Sequence, residues 1–147
     1  MIEIKNILVT TDLSKNATAV EPYAAELARR FKAQIELVHV FDPISFIGST
    51  REQRADDLKK AANAFADREH IGVNTVLLEG HPVTELVRYA KAQKADCLAI
   101  ATHGWTGLNH MLLGSVAEHL VRTMPCPVFS VRPARIIAFK DDERKRK

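Results

Sequence analysis

The residues with the most chemical potential lie in one stretch, "ATHGWTGLNHMLLGSVAEHL", positions 101–120. It carries Gly104, Gly107 and Gly114, and the Gly114-Ser115 pair opens a run with helical spacing. Glycines let a backbone approach a polyphosphate with no side chain in the way. A helix N-terminus adds unpaired N–H groups and about half a positive charge. The Ser115 hydroxyl can donate to a phosphate oxygen. The same residues also support a plain architectural reading, in which Gly104 and Gly107 supply turn conformations and Ser115 with Glu118 forms an S-x-x-E capping box. On the residues alone both readings stand.

Spacing removes several alternatives. No G-x-x-x-x-G-K-[ST] is present, and no G-x-G-x-x-G follows a strand, so neither a Walker loop nor the dinucleotide fingerprint applies. His103 and His110 lie seven residues apart, a separation that matches no common zinc spacing, and no third ligand completes a set. Asp12, in "TTDLS", is the second candidate for chemistry, able to orient a ligand or a water. There is no Ser-His-Asp set, nucleophile elbow or arginine finger, which leaves at most slow hydrolysis as an expected activity.

These residues need elements to hold them. "NILVTT" (6–11), "QIELVHV" (34–40), "VNTVLLEG" (73–80), "CLAIAT" (97–102) and "PVFSVRP" (127–133) read as five apolar strands. Helical spacing falls between them. "ATAVEPYAAELARRF" starts or kinks at Pro22. Thr50 and Gln53 form a capping box ahead of a stripe of Leu58, Ala61, Ala62, Phe65 and Ala66. Pro82 opens a helix whose inner face is Val83, Leu86, Val87 and Ala90, and the helix from Ser115 is expected to bury Val116, Leu120, Val121 and Met124. Strands alternating with helices predict a parallel sheet covered on both faces. Ligands in such folds bind outside the carboxyl ends of the strands, where the strand order reverses. Asp12 and the glycine loop both leave strands on that edge.

Composition sets the remaining bounds. At 147 residues and 46% apolar, the chain is expected to form one domain over residues 1–133, with 134–147 a basic, partly disordered extension. The net charge of +3 owes +2 to the final "KDDERKRK", so no nucleic-acid surface is expected. No apolar run approaches the ~20 residues of a membrane span. The opening "MIEIKNILVTTDLS" reads as a strand rather than a leader, and Cys97 and Cys126 read as reduced thiols of a cytoplasmic protein.

"ATHGWTGLNHMLLGSVAEHLVRTMPCPVFSVRP" resembles the C-terminal half of the universal stress protein family. "KNILVTTDLS" is similar to that family's first strand, and "IELVHVFDP" to its second, so the resemblance spans residues 3–133. It implies an adenine-nucleotide alpha-hydrolase-like fold with sheet order 3-2-1-4-5, and a stress-response regulator that binds ATP, ADP or AMP, alone or with Mg²⁺ or Mn²⁺. By that resemblance Thr11, Asp12 and Val40 meet the adenosine end. Ala101, Thr102, His103, Gly104, Gly114, Ser115, Val116 and Ala117 surround the ribose and phosphates. It also implies a homodimer through the fifth strand and an unidentified protein partner, with no membrane. A nucleotide-free dimeric interaction protein and a slow ATPase are the alternatives. Three positions depart from the ATP-binding pattern: Ala101 replaces a glycine, Trp105 a basic residue and Ala117 a hydroxyl residue. If position 101 needs a positive φ, alanine costs about 1 kcal/mol; if not, the cost is small.

Overall fold

The computed structural model describes residues 1–102 and 115–132. The order of elements is β1 (Asn6–Thr10), a 3₁₀ turn (Lys15–Val20), α1 (Glu21–Phe31), β2 (Gln34–Phe41), α2 (Arg51–Glu69), β3 (Val73–Glu79), α3 (Pro82–Gln93), β4 (Cys97–Ala101), α4 (Ser115–Thr123) and β5 (Val128–Val131). All four strand pairings are parallel, in the order β3-β2-β1-β4-β5. The expected strand order and layering are therefore those of the protein. The expected extension at 134–147 lies outside the described residues.

Strand composition explains the order. β1 is central, and Ile7, Leu8 and Val9 are buried on both faces of the sheet. Ile7, Val9, Ile35 and Leu37 pack beneath α1 and α2, against Ala24, Ala28, Leu58 and Phe65. Leu8, Val38, Val40, Leu98 and Ile100 pack beneath α3 and α4, against Leu86, Ala90, Ala117 and Leu120. The period-2 alternation of the strands divides these two cores.

Local signals set the helix starts. Pro22 falls in the first turn of α1, where its missing N–H has no intrahelical partner to lose, and a 3₁₀ turn capped by Ser14 leads into it. α2 has both bonds of its capping box: Gln53 N–H donates to Thr50 Oγ1 at 3.1 Å, and Thr50 N–H donates to Gln53 Oε1 at 2.8 Å. α3 begins at Pro82, as expected. In α4 the buried stripe differs from the expected one. Ala117 and Leu120 are buried, with Met124 packed beside them, while Val116 and Val121 stay 37% and 50% exposed. The stripe runs i, i+3, i+7 from Ala117, which turns both valines outward. Glu118 pairs with Arg122 at 2.8 Å, so its carboxylate serves an i,i+4 bridge. Among the described residues, no helix is long and apolar enough to cross a membrane.

Candidate functional site

Strands β1 and β4 are neighbours, while their following helices α1 and α4 cover opposite faces. The chain therefore parts at their carboxyl ends, and a cavity of about 120 Å³ opens there. Thr11 and Asp12 line it from the turn after β1, His39 and Val40 from β2, Ala101 from β4, and Val116 and Ala117 from α4.

The turn after β1 is fixed by its own side chains. Thr11 N–H donates to the Val38 carbonyl at 2.9 Å, carrying the β1–β2 pairing one residue past the strand. Leu13, at φ 69°, then reverses the chain, and its N–H donates to Thr11 Oγ1 at 3.0 Å. Ser14 donates from its N–H and its hydroxyl to Asp12 Oδ1, at 2.9 and 2.5 Å. These bonds orient the Asp12 carboxylate at the exposed mouth of the cavity.

The β2 side of the site is more elaborate than the sequence suggested. His39 is 1% exposed in β2, between the buried Val38 and Val40. Its Nδ1 lies 2.9 Å from the Thr11 carbonyl, and its Nε2 lies 3.3 Å from Arg54 Nε. The carbonyl can only accept and the guanidinium can only donate, so the ring is neutral with its proton on Nδ1. Burial, with a smaller contribution from the Arg54 charge, holds the imidazole below its ordinary range. The connection after β2 is folded around Asp42. Its carboxylate accepts from Ile44 N–H and the Ser45 hydroxyl, each at 3.0 Å, and these bonds lower its pKa. That turn aims Phe46 inward. Its ring stacks on Phe41, meets His39 edge-on at 5.6 Å, and lies 4.1 Å beneath the Arg54 guanidinium. His39, Phe46 and Arg54 were not among the expected site residues. A histidine between two valines in a strand was the one available signal.

The β4 side is simpler. Ala101 is the last residue of β4, opposite Val131, and its φ is not positive. A glycine is therefore not required there by the backbone, and alanine adds only a methyl to the cavity wall. Thr102 is buried away from the cavity, its N–H and hydroxyl both directed to the Val131 carbonyl at 2.8 and 3.3 Å. Ser115 is exposed at the start of α4, and Ala117 is shared between the core and the cavity. His103, Gly104 and Gly114, with Trp105, lie outside the described residues. No group of three metal-ligating side chains occurs among the described residues.

A doubly wound α/β domain with an open cavity at its switch point defines a class of small-ligand-binding folds. The universal stress protein family matches residues 3–132, and the chain belongs to that family. It is 31% identical over 139 residues to universal stress protein MJ0531 of Methanocaldococcus jannaschii, covering 87% of this chain and 82% of that protein. Among solved structures it is similar to a universal stress protein in complex with cAMP, with a TM-score of 0.71 and 22% identity over 89% of this chain and 98% of that one. It is also similar to the universal stress protein of Archaeoglobus fulgidus in complex with dAMP, with a TM-score of 0.67 and 22% identity over 88% and 98% of the two chains.

Proposed function

We propose that the chain is a cytoplasmic stress-response regulator that binds an adenine nucleotide, ATP or a relative of it, in the cavity between β1 and β4. The observation that carries this reading is the convergence of Asp12, Val40, Ala101 and Val116 on one cavity at the switch point. Asp12 offers a carboxylate for a ribose hydroxyl, Val40 an apolar wall for the base, and the start of α4 its unpaired N–H groups for phosphate. The strand conformation of Ala101 leaves the missing glycine as a matter of one methyl group. Complexes of two structural relatives with cAMP and dAMP support the ligand class. Mg²⁺ or Mn²⁺ would enter with the phosphates. Nucleotide occupancy, not turnover, is the output, with hydrolysis at most slow.

Among the described residues β5 has a strand neighbour on one side only. Within β5 Phe129 is 36% exposed and in ring contact with Tyr23 at 5.8 Å, leaving an apolar border along the edge. A second copy paired through β5 would cover that border, which is the homodimer proposed for this chain.

Acid extraction of freshly purified protein, followed by chromatography, tests the ligand directly. A near-stoichiometric adenine nucleotide is expected. A blank extract, with no calorimetric heat from ATP, ADP, AMP or cAMP in the presence of Mg²⁺, would overturn the reading. The function would then move to the dimer surface, which sedimentation equilibrium measures independently.

A further inference from the structure

We propose that Arg54 is a positioning residue for this site: through His39 and Phe46 it sets both the Thr11–Ser14 turn that carries Asp12 and the cavity wall formed after β2. The proposal rests on the nucleotide reading for its purpose, and on geometry for its substance. An arginine in the first turn of a surface helix ordinarily spreads its guanidinium into water. Arg54 instead uses two distinct parts of one planar group. Its Nε–H donates to His39 Nε2 at 3.3 Å, and its face covers the Phe46 ring at 4.1 Å. His39 passes the constraint on, since its Nδ1–H holds the Thr11 carbonyl at 2.9 Å, one residue before Asp12. Phe46, His39, Thr11 and Asp12 all line the same cavity. One side chain from outside the cavity thereby fixes two of its walls.

The relay requires a neutral ring. A proton on Nε2 would face the Arg54 N–H, donor against donor. The groups facing the imidazole are the Thr11 carbonyl and Asp12 from the β1 turn, Arg54 and Asp57 from α2, and the Phe46 ring from the connection. The bond to the Thr11 carbonyl, and to a smaller extent Asp12 and Asp57, favour the charged ring; burial, helped by Arg54, opposes them and prevails. Lysine at position 54 would keep the charge and lose both the in-plane Nε–H and the flat face.

The test uses the full chain and three variants. Asparagine at position 39 can place its amide nitrogen near the Nδ1 position, keeping the Thr11 bond while breaking the link to Arg54. Amide spectra of residues 11–14, a side-chain titration of His39 and calorimetry with ATP and cAMP are recorded for wild type, Arg54→Ala, Arg54→Lys and His39→Asn. Both Arg54 variants are expected to shift the Leu13 and Ser14 amides and to weaken nucleotide binding about tenfold. His39→Asn should leave those amides near wild type and weaken binding about threefold, through the Phe46 wall alone. The wild-type ring should titrate below the ordinary imidazole range, and in Arg54→Ala its titration should move up toward that range. Wild-type amides, titration and affinity in Arg54→Ala would overturn the proposal. A wild-type protein that binds no nucleotide would remove the nucleotide reading alone, because the amide shifts and the His39 titration still decide the relay in the free protein.

Discussion

Each end of α2 sends an arginine to a buried titratable group, and the two pairs follow opposite physical logic. In the first turn Arg54 donates to His39, whose neutrality suits both its burial and its partners. In the last turn Arg68 pairs with Glu21, which is 4% exposed at the start of α1. There the terms conflict. Burial raises the Glu21 pKa from its ordinary 4.5 to about 7, and the nearby Glu69 adds to the rise, while the Arg68 charge and hydrogen bond only partly offset it. An arginine beside a buried group therefore does not by itself say whether that group is charged. At the His39 end the guanidinium reinforces what burial already favours; at the Glu21 end it opposes burial and loses.

The sharpest break in this comparison is His39→Leu. It removes the donor to the part-buried Thr11 carbonyl and strips Arg54 of its acceptor, so a loss of about 2 to 3 kcal/mol is expected in urea unfolding at neutral pH. Thr11 and Asp12 lose their anchor with it. A loss under about 0.5 kcal/mol would mean that the ring is filler, not an anchor.

Glu21→Gln separates the two ends by their pH dependence. The folded state holds the Glu21 proton more tightly than the unfolded chain does. Its contribution is therefore fully present below about pH 4.5 and is lost as the pH rises through about 7. His39 runs the other way: its folded pKa lies below the ordinary 6.5, so its contribution is present above that value and is lost on acidification. Across the mildly acidic range the two groups oppose one another and flatten the wild-type profile. Glutamine should remove the Glu21 slope, leaving a variant about 2 kcal/mol more stable than wild type above about pH 7 and no more stable near pH 4.5. Urea midpoints measured across that range decide it. A constant difference at every pH would show that folding leaves the Glu21 pKa unchanged.

How much of this was legible depends on the range of the interactions. Alternating apolar strands and helical stripes are local patterns, and they mark β1 to β5 to within about two residues and the starts of α2, α3 and α4. The Thr50–Gln53 box is likewise a four-residue signal, and both of its bonds are present. The strand order came instead from the family resemblance, since alternation alone does not choose among crossovers. In the sequence His39 is only one residue of the strand run QIELVHV. Its partners Thr11 and Arg54 lie 28 and 15 residues away in sequence, and no local pattern joins them. Phe46 sat in a stretch that reads as irregular until the Asp42 turn is seen to aim it inward. The outward valines of α4 show the same limit: Val116 and Val121 are apolar enough for a core, and only the rotation of the helix on the sheet shows that alanine and leucine take it. At Ala101 the sequence posed a question about φ that the strand conformation answers.

The smallest effect tests whether the two ends of α2 are independent. Thr50→Ala removes the side-chain acceptor for Gln53 N–H and should cost about 1 kcal/mol. The loss falls on the first turn, which Arg54 closes with its N–H on the Thr50 carbonyl at 3.1 Å. Fraying there loosens the guanidinium over Phe46, so the His39 titration should move toward its ordinary range while the Glu21-dependent slope stays at its wild-type size. Thr50→Ser, which keeps the acceptor, should do neither. If the Glu21 slope moves as well, α2 responds as one rigid rod, and the charge state at its last turn is coupled to the cavity wall at its first.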